Sequence, residues 1–142
     1  MRVKTQMWFI VSCVALSLSM SNLSAHAQGV MRLGNAATIA LKSGESVEVG
    51  NLYWVTGCRS ILKSPPEVEI VDGPSQVAAS VKEAMVLPRW QNCSSRVSGG
   101  TLVLTAKDIE DPSFSTLTVR VTYKTRDGDR KFSEILNLQL LP

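Results

Sequence analysis

Three cysteines, one histidine and a few clustered acids are the residues of this 142-residue chain with the means for covalent or metal chemistry. Cys13 and His26 fall in the first 27 positions, and Cys58 and Cys93 fall beyond them. Met1 to Gln6 carries Arg2 and Lys4 and no acid, Met7 to about Leu18 is apolar, and Ala25-His26-Ala27 supplies the small residues a signal peptidase needs. That is the three-part layout of a secretory signal. The apolar run is interrupted by Ser12 and Ser17 and is too short for a membrane span of about 20 apolar residues. The expectation is export, cleavage before Gln28 and loss of Cys13 and His26, with residues 1–27 as the signal and residues 28–142 as one domain. Two alternatives stay open: lipid attachment at Cys13, for which Ile10-Val11-Ser12-Cys13 fits the pattern, and an uncleaved anchor.

Once the signal is removed, the remaining chemistry is narrow. Cys58 and Cys93 meet an oxidising compartment with no third thiol, so a structural disulfide is expected. Closing a loop of that size restricts the unfolded chain by roughly 4 kcal/mol. With no histidine and no free cysteine, neither a Ser-His-Asp nor a Cys-His nucleophile system can be assembled. A typical zinc site fails for the same reason. The acids Asp108, Glu110 and Asp111, and Asp127 and Asp129, have oxygen donors for calcium, but they read as solvated turns before Pro112 and within a hairpin. A carboxylate-dependent glycosidase needs two acids in a cleft. The expectation is therefore no catalytic residue, no metal and no cofactor.

Charge excludes a further class. The whole chain carries 15 Lys and Arg against 12 Asp and Glu. Removal of Arg2 and Lys4 with the signal leaves 13 basic residues against the same 12 acids, so the mature domain lacks the electrostatic footprint of a nucleic-acid binder.

One constellation suits recognition. Arg59, Ile61, Leu62 and Lys63 follow Cys58, while Pro88, Arg89, Trp90, Asn92 and Arg96 surround Cys93. A bond between the cysteines would lay these loops side by side, combining a tryptophan with several arginines, the residue types that dominate interaction hot spots. The candidate binding surface is Arg59, Lys63, Arg89, Trp90 and Arg96, suited to a protein or an anionic envelope component. The competing reading has Trp90 shielding the disulfide and the charges as ordinary surface residues.

The elements that must position these loops are strands. Leu117, Val119, Val121 and Tyr123 alternate with Thr118, Arg120, Thr122 and Lys124, the period of a strand with one buried face. Asp127-Gly128 suits a tight hairpin. Phe132, Leu136, Leu138 and Leu140 continue the alternation on a return strand. Upstream, Leu102, Leu104 and Ala106 follow a predicted Gly99-Gly100 turn, and Val68 and Ile70 are bracketed by Pro65-Pro66 and Gly73-Pro74. Val77 to Met85 reads as a strand, with a short helix as the alternative. Thr38 to Leu41 and Val47 to Val49 flank Ser43-Gly44, and Leu52 to Thr56 reads as a strand carrying Tyr53 and Trp54 on opposite faces.

Seven or eight short strands without helices imply an all-β antiparallel sandwich. From Gly99 to Leu141 the alternation and the Asp127-Gly128 hairpin resemble the last three strands of bacterial immunoglobulin-like and fibronectin-like domains. That resemblance implies an immunoglobulin-like fold of a small secreted bacterial type and says nothing of an activity. Small immunoglobulin-like inhibitors of cysteine proteases share the size, but here Pro88-Arg89-Trp90 reverses the first two residues of their Arg-Pro-Trp loop and precedes Gly99-Gly100. The functional expectation is an exported, non-enzymatic binding or structural module, periplasmic or secreted. An enzyme inhibitor or a carboxylate-dependent enzyme is the alternative.

Overall fold

Nine strands and no helix make up the computed structural model, which describes residues 38–89 and 92–142. The expected signal (residues 1–27) with its expected cleavage site, and Trp90, lie outside the described residues. In chain order the strands are β1 (Ile39–Lys42), β2 (Ser46–Leu52), β3 (Val55–Thr56), β4 (Arg59–Ser60), β5 (Glu67–Asp72), β6 (Val77–Val86), β7 (Val97–Ala106), β8 (Ser113–Thr125) and β9 (Gly128–Leu141). β3 and β4 are two-residue pieces, and they take the count above the seven or eight expected.

One sheet has the order β1-β9-β8-β5, a second has β2-β7-β6, and β3 and β4 form a separate ribbon. All pairings are antiparallel except that of β1 with β9, which is parallel. Alternation is read for its parity and is blind to strand direction, so this one departure from an all-antiparallel arrangement left no mark on the pattern. One buried cluster takes Leu41 from β1, Leu52 from β2, Leu102 and Leu104 from β7, Leu117 to Tyr123 from β8 and Leu136 to Leu140 from β9. Both main sheets therefore contribute to one core. β8 shows the principle: its odd-numbered residues from Leu117 to Thr125 are buried and the intervening ones are half-exposed, which is the two-residue period of the pleat.

Three local expectations are corrected. Gly99-Gly100 is not a turn; both glycines lie inside β7 and are buried. β7 is the central strand of its sheet, and the Leu52 carbonyl oxygen occupies the place where a Cβ of Gly99 would stand. Leu52 to Thr56 is not one strand: β2 ends at Leu52, and Tyr53 and Trp54 sit off the strands. Both are buried, Trp54 in the main core and Tyr53 in a second cluster with Val55, Val86 and Val97. Phe132 has the parity of the buried set but is 41 % exposed: it packs on Trp54 and Tyr123 at the margin of the core, with its outer side uncovered among the described residues. The ambiguous segment near Val77 is a strand of ten residues.

Candidate functional site

The second cluster sits at one end of the domain, where β6 finishes, β7 begins and the β3–β4 hairpin crosses. Above it the chain makes its covalent link. Thr56 pairs with Arg59, leaving Gly57 and Cys58 as a two-residue turn, and both have positive φ, 55° and 59°. Positive φ at both central positions is the signature of the type I′ turn, whose twist matches the flanking strands. The turn aims Cys58 at Cys93, and the two are joined by a disulfide with Cα atoms 5.5 Å apart. Cys93 is buried and Cys58 half-buried. The ribbon is further pinned by the Ser60 hydroxyl, which donates to the Ser98 carbonyl at 3.1 Å.

Arg59 stands exposed on β4 beside the disulfide, and Arg89 and Arg96 are exposed on the segment that carries Cys93. The Arg96 guanidinium donates through Nη1 to the Met85 carbonyl at 3.1 Å, which holds that side chain across the end of β6. Pro88, grouped with this surface in the sequence, is fully buried and belongs to the support beneath it. Met85 and Leu87 are exposed instead, so the apolar contribution to this face among the described residues comes from positions the sequence reading passed over. In a strand pattern they are indistinguishable from core residues.

Lys63 is placed differently. The Ile61 amide donates to the Trp54 carbonyl, the Lys63 amide donates to the Lys124 carbonyl at 2.8 Å, and the Arg126 amide donates to the Ile61 carbonyl at 3.0 Å. Leu62 forms a bridge with Thr125. The segment after β4 is thus stitched to the end of β8, and Lys63 stands next to the β8–β9 hairpin with exposed Arg126. Arg130 and Lys131, also exposed, begin β9. Sequence reasoning missed these three bases, since only the long-range pairing of Leu62 with Thr125 brings them to this end. Lys124 is engaged by Glu67, and its hydrogen bond and charge raise the Lys124 pKa above the ordinary lysine value.

Between these groups is a small cavity of about 210 Å³ lined by Leu62, Lys63, Ser64, Pro65, Glu83 and Ser98. The Ser64 hydroxyl is buried there with no hydrogen-bond partner among the described residues. The volume is below the roughly 300 Å³ at which small-molecule pockets begin.

The acids are divided by the fold. Asp108, Glu110 and Asp111 precede β8, whereas Asp127 and Asp129 follow it, and β8 has thirteen residues, roughly 40 Å of strand. The two groups cannot share a ligand. Among the described residues no three His, Cys, Asp or Glu side chains converge in a way that would hold a metal ion, and no helix is long and apolar enough to cross a membrane. Asp108 has a positive φ of 53°, a conformation that aspartate tolerates in turns, and Ile109 between the acids is buried. No family model matches the chain, and no curated protein or solved structure matches it either.

Proposed function

We propose that this chain is an exported, non-enzymatic binding module with an immunoglobulin-like sandwich fold, which meets an anionic or protein partner in the periplasm or outside the cell through its disulfide-bonded end. One observation carries the proposal: Arg59, Arg89 and Arg96 are exposed on segments that the Cys58–Cys93 bond ties together. Lys63 and Arg126 extend the basic face, and exposed Met85 and Leu87 give it apolar area. Mixed basic and apolar surfaces of this kind attract anionic partners at long range and hold them by desolvation at contact. The immunoglobulin-like reading rests on the order β1-β9-β8-β5 beside β2-β7-β6 and on the parallel β1–β9 pair. Export is supported by the N-terminal layout and is compatible with the disulfide.

The test has two parts. The mass of the exported protein should place its N-terminus at or near Gln28. The exported protein should bind anionic phospholipid vesicles in preference to neutral ones, more weakly as salt rises. The double variant Arg89→Ala, Trp90→Ala should lose that binding and keep its circular-dichroism spectrum. Binding that survives the double substitution, or that does not respond to salt, removes this surface as the functional one.

A further inference from the structure

The cavity of about 210 Å³ at the bonded end has two walls. One is the segment Leu62 to Pro65 between β4 and β5, fixed to β8 by the Lys63 amide, which donates to the Lys124 carbonyl, and by the Leu62–Thr125 bridge. The other is the β6–β7 pair, where Glu83 stands opposite Gly100 and Ser98 opposite Met85. Every residue lining the cavity belongs to one of these walls.

Three polar groups meet there with their bonding capacity unused by the protein. Lys82, Arg120 and Lys124 each hold a glutamate of another strand, whereas Lys63 and Glu83 line one cavity and, among the described residues, form no ion pair with each other or with a third side chain. Both are exposed, so each charge is solvated. The Ser64 hydroxyl between them in the lining is buried and has no partner among the described residues, a state that costs free energy until a ligand supplies its hydrogen bond. The Ser98 hydroxyl is already engaged, donating to Met85 Sδ at 3.7 Å.

Charge and size together define the ligand. An anion alone would meet the Glu83 carboxylate and a cation alone the Lys63 ammonium, so the ligand that satisfies both walls carries one charge of each sign. The cavity equals the liquid volume of about seven waters at about 30 Å³ each, room for an amino acid with a small side chain. Leu62 and Pro65 make the remaining lining apolar. We propose that the cavity is a site for a free, small aliphatic α-amino acid, with its ammonium on the Glu83 carboxylate, its carboxylate held by the Lys63 ammonium and the Ser64 hydroxyl, and its side chain against Leu62 and Pro65.

The test titrates the isotope-labelled exported protein with L-alanine, and with acetate and methylammonium as probes that each carry one of the two charges. Alanine should give saturable amide shifts at Lys63, Ser64, Glu83 and Ser98 and none in the Asp108 to Asp111 turn. Acetate and methylammonium should each bind at least tenfold more weakly. Glu83→Gln and Ser64→Ala should each raise the alanine Kd at least tenfold, the loss expected of a hydrogen bond to a charged group. Ser64→Ala also separates binding from folding: because its hydroxyl is unpartnered, the variant should melt no lower than the wild type without alanine and should lose the rise in Tm that alanine gives the wild type. Alanine shifts that are absent or spread over both sheets overturn the inference, as does acetate or methylammonium binding as tightly as alanine. A lower Tm of Ser64→Ala without alanine overturns it too, since the hydroxyl is then already bonded through ordered water alone. Vesicle binding by the Arg59, Arg89 and Arg96 face is a separate measurement, and neither result decides the other.

Discussion

Trp54 and Phe132 stack with ring centroids 5.4 Å apart and planes inclined by 32°. Tyr123 closes the group, 5.4 Å from Trp54 and 6.3 Å from Phe132. Trp54 is buried, while Phe132 is its half-exposed lid. Aromatic pairs of this geometry contribute about 0.5–1.5 kcal/mol beyond area burial. Phe132→Ala should therefore cost about 2 kcal/mol, below the 3–5 kcal/mol typical of a fully buried phenylalanine. In a Trp8→Phe, Trp90→Phe background, in which Trp54 is the one tryptophan left, the emission should shift to the red, because Trp54 loses its cover. An unshifted spectrum would mean that other groups shield Trp54.

Gly99 yields a sharper outcome. A Cβ there collides with the Leu52 carbonyl oxygen and stands 2.9 Å from Val86 Cγ2. The first obstacle is backbone in the adjacent strand and cannot swing away. Gly99→Ala should destabilise the domain by about 2–3 kcal/mol, as overpacking does in tight cores, measured by urea denaturation. A Cβ on Gly100 meets a side-chain methyl of Val81 at 2.5 Å, so Gly100→Ala should cost less. Equal costs would refute this distinction.

These two residues also mark where the sequence is legible. Leu117 to Tyr123 can be read directly because β8 buries one face only, and alternation is the record of that asymmetry. β7 buries Gly99 through Leu102 consecutively before the alternation resumes from Leu102 to Ala106, so the first half of the strand shows no period and two glycines mimic a turn. Phe132 keeps the right parity, but parity does not encode how far the core extends along a fourteen-residue strand. At the candidate site the Cys58–Cys93 pairing is legible because they are the two cysteines after position 27. The approach of Lys63 to Arg126 is not, since it depends on Leu62 meeting Thr125, a contact between segments 63 residues apart that leaves no local pattern.

The disulfide joins residues 35 apart in the chain and anchors strands of only two residues. Its removal by Cys58→Ser with Cys93→Ser should lower stability by roughly 2–5 kcal/mol. The loss should also be uneven. Amide protection should vanish first in β3, β4 and residues 92–96, with β8 and β9 retained until global unfolding, because the main core lies beyond the bonded end. Uniform loss of protection across both sheets would show that the bond stabilises the domain only through the unfolded chain.

Alkaline pH tests the aromatic group from the inside. Burial holds the Tyr123 phenol above its ordinary pKa, and the charges of Tyr53 and Glu134 push in the same direction. In the unfolded chain the phenol loses its proton near about pH 10, whereas the folded state keeps it. The unfolded state therefore binds fewer protons above that pH, and stability must fall as pH rises, by up to about 1.4 kcal/mol per unit for one group. Below pH 10 both states are protonated and this contribution is flat. Tyr123→Phe removes the titrating hydroxyl and keeps the ring against Trp54, so its urea midpoint should decline less steeply between pH 10 and pH 11.5 than that of the wild type. The two curves should run parallel between pH 7 and pH 9. If the variant and the wild type lose stability at the same rate above pH 10, the phenol at position 123 is not the group that governs alkaline unfolding.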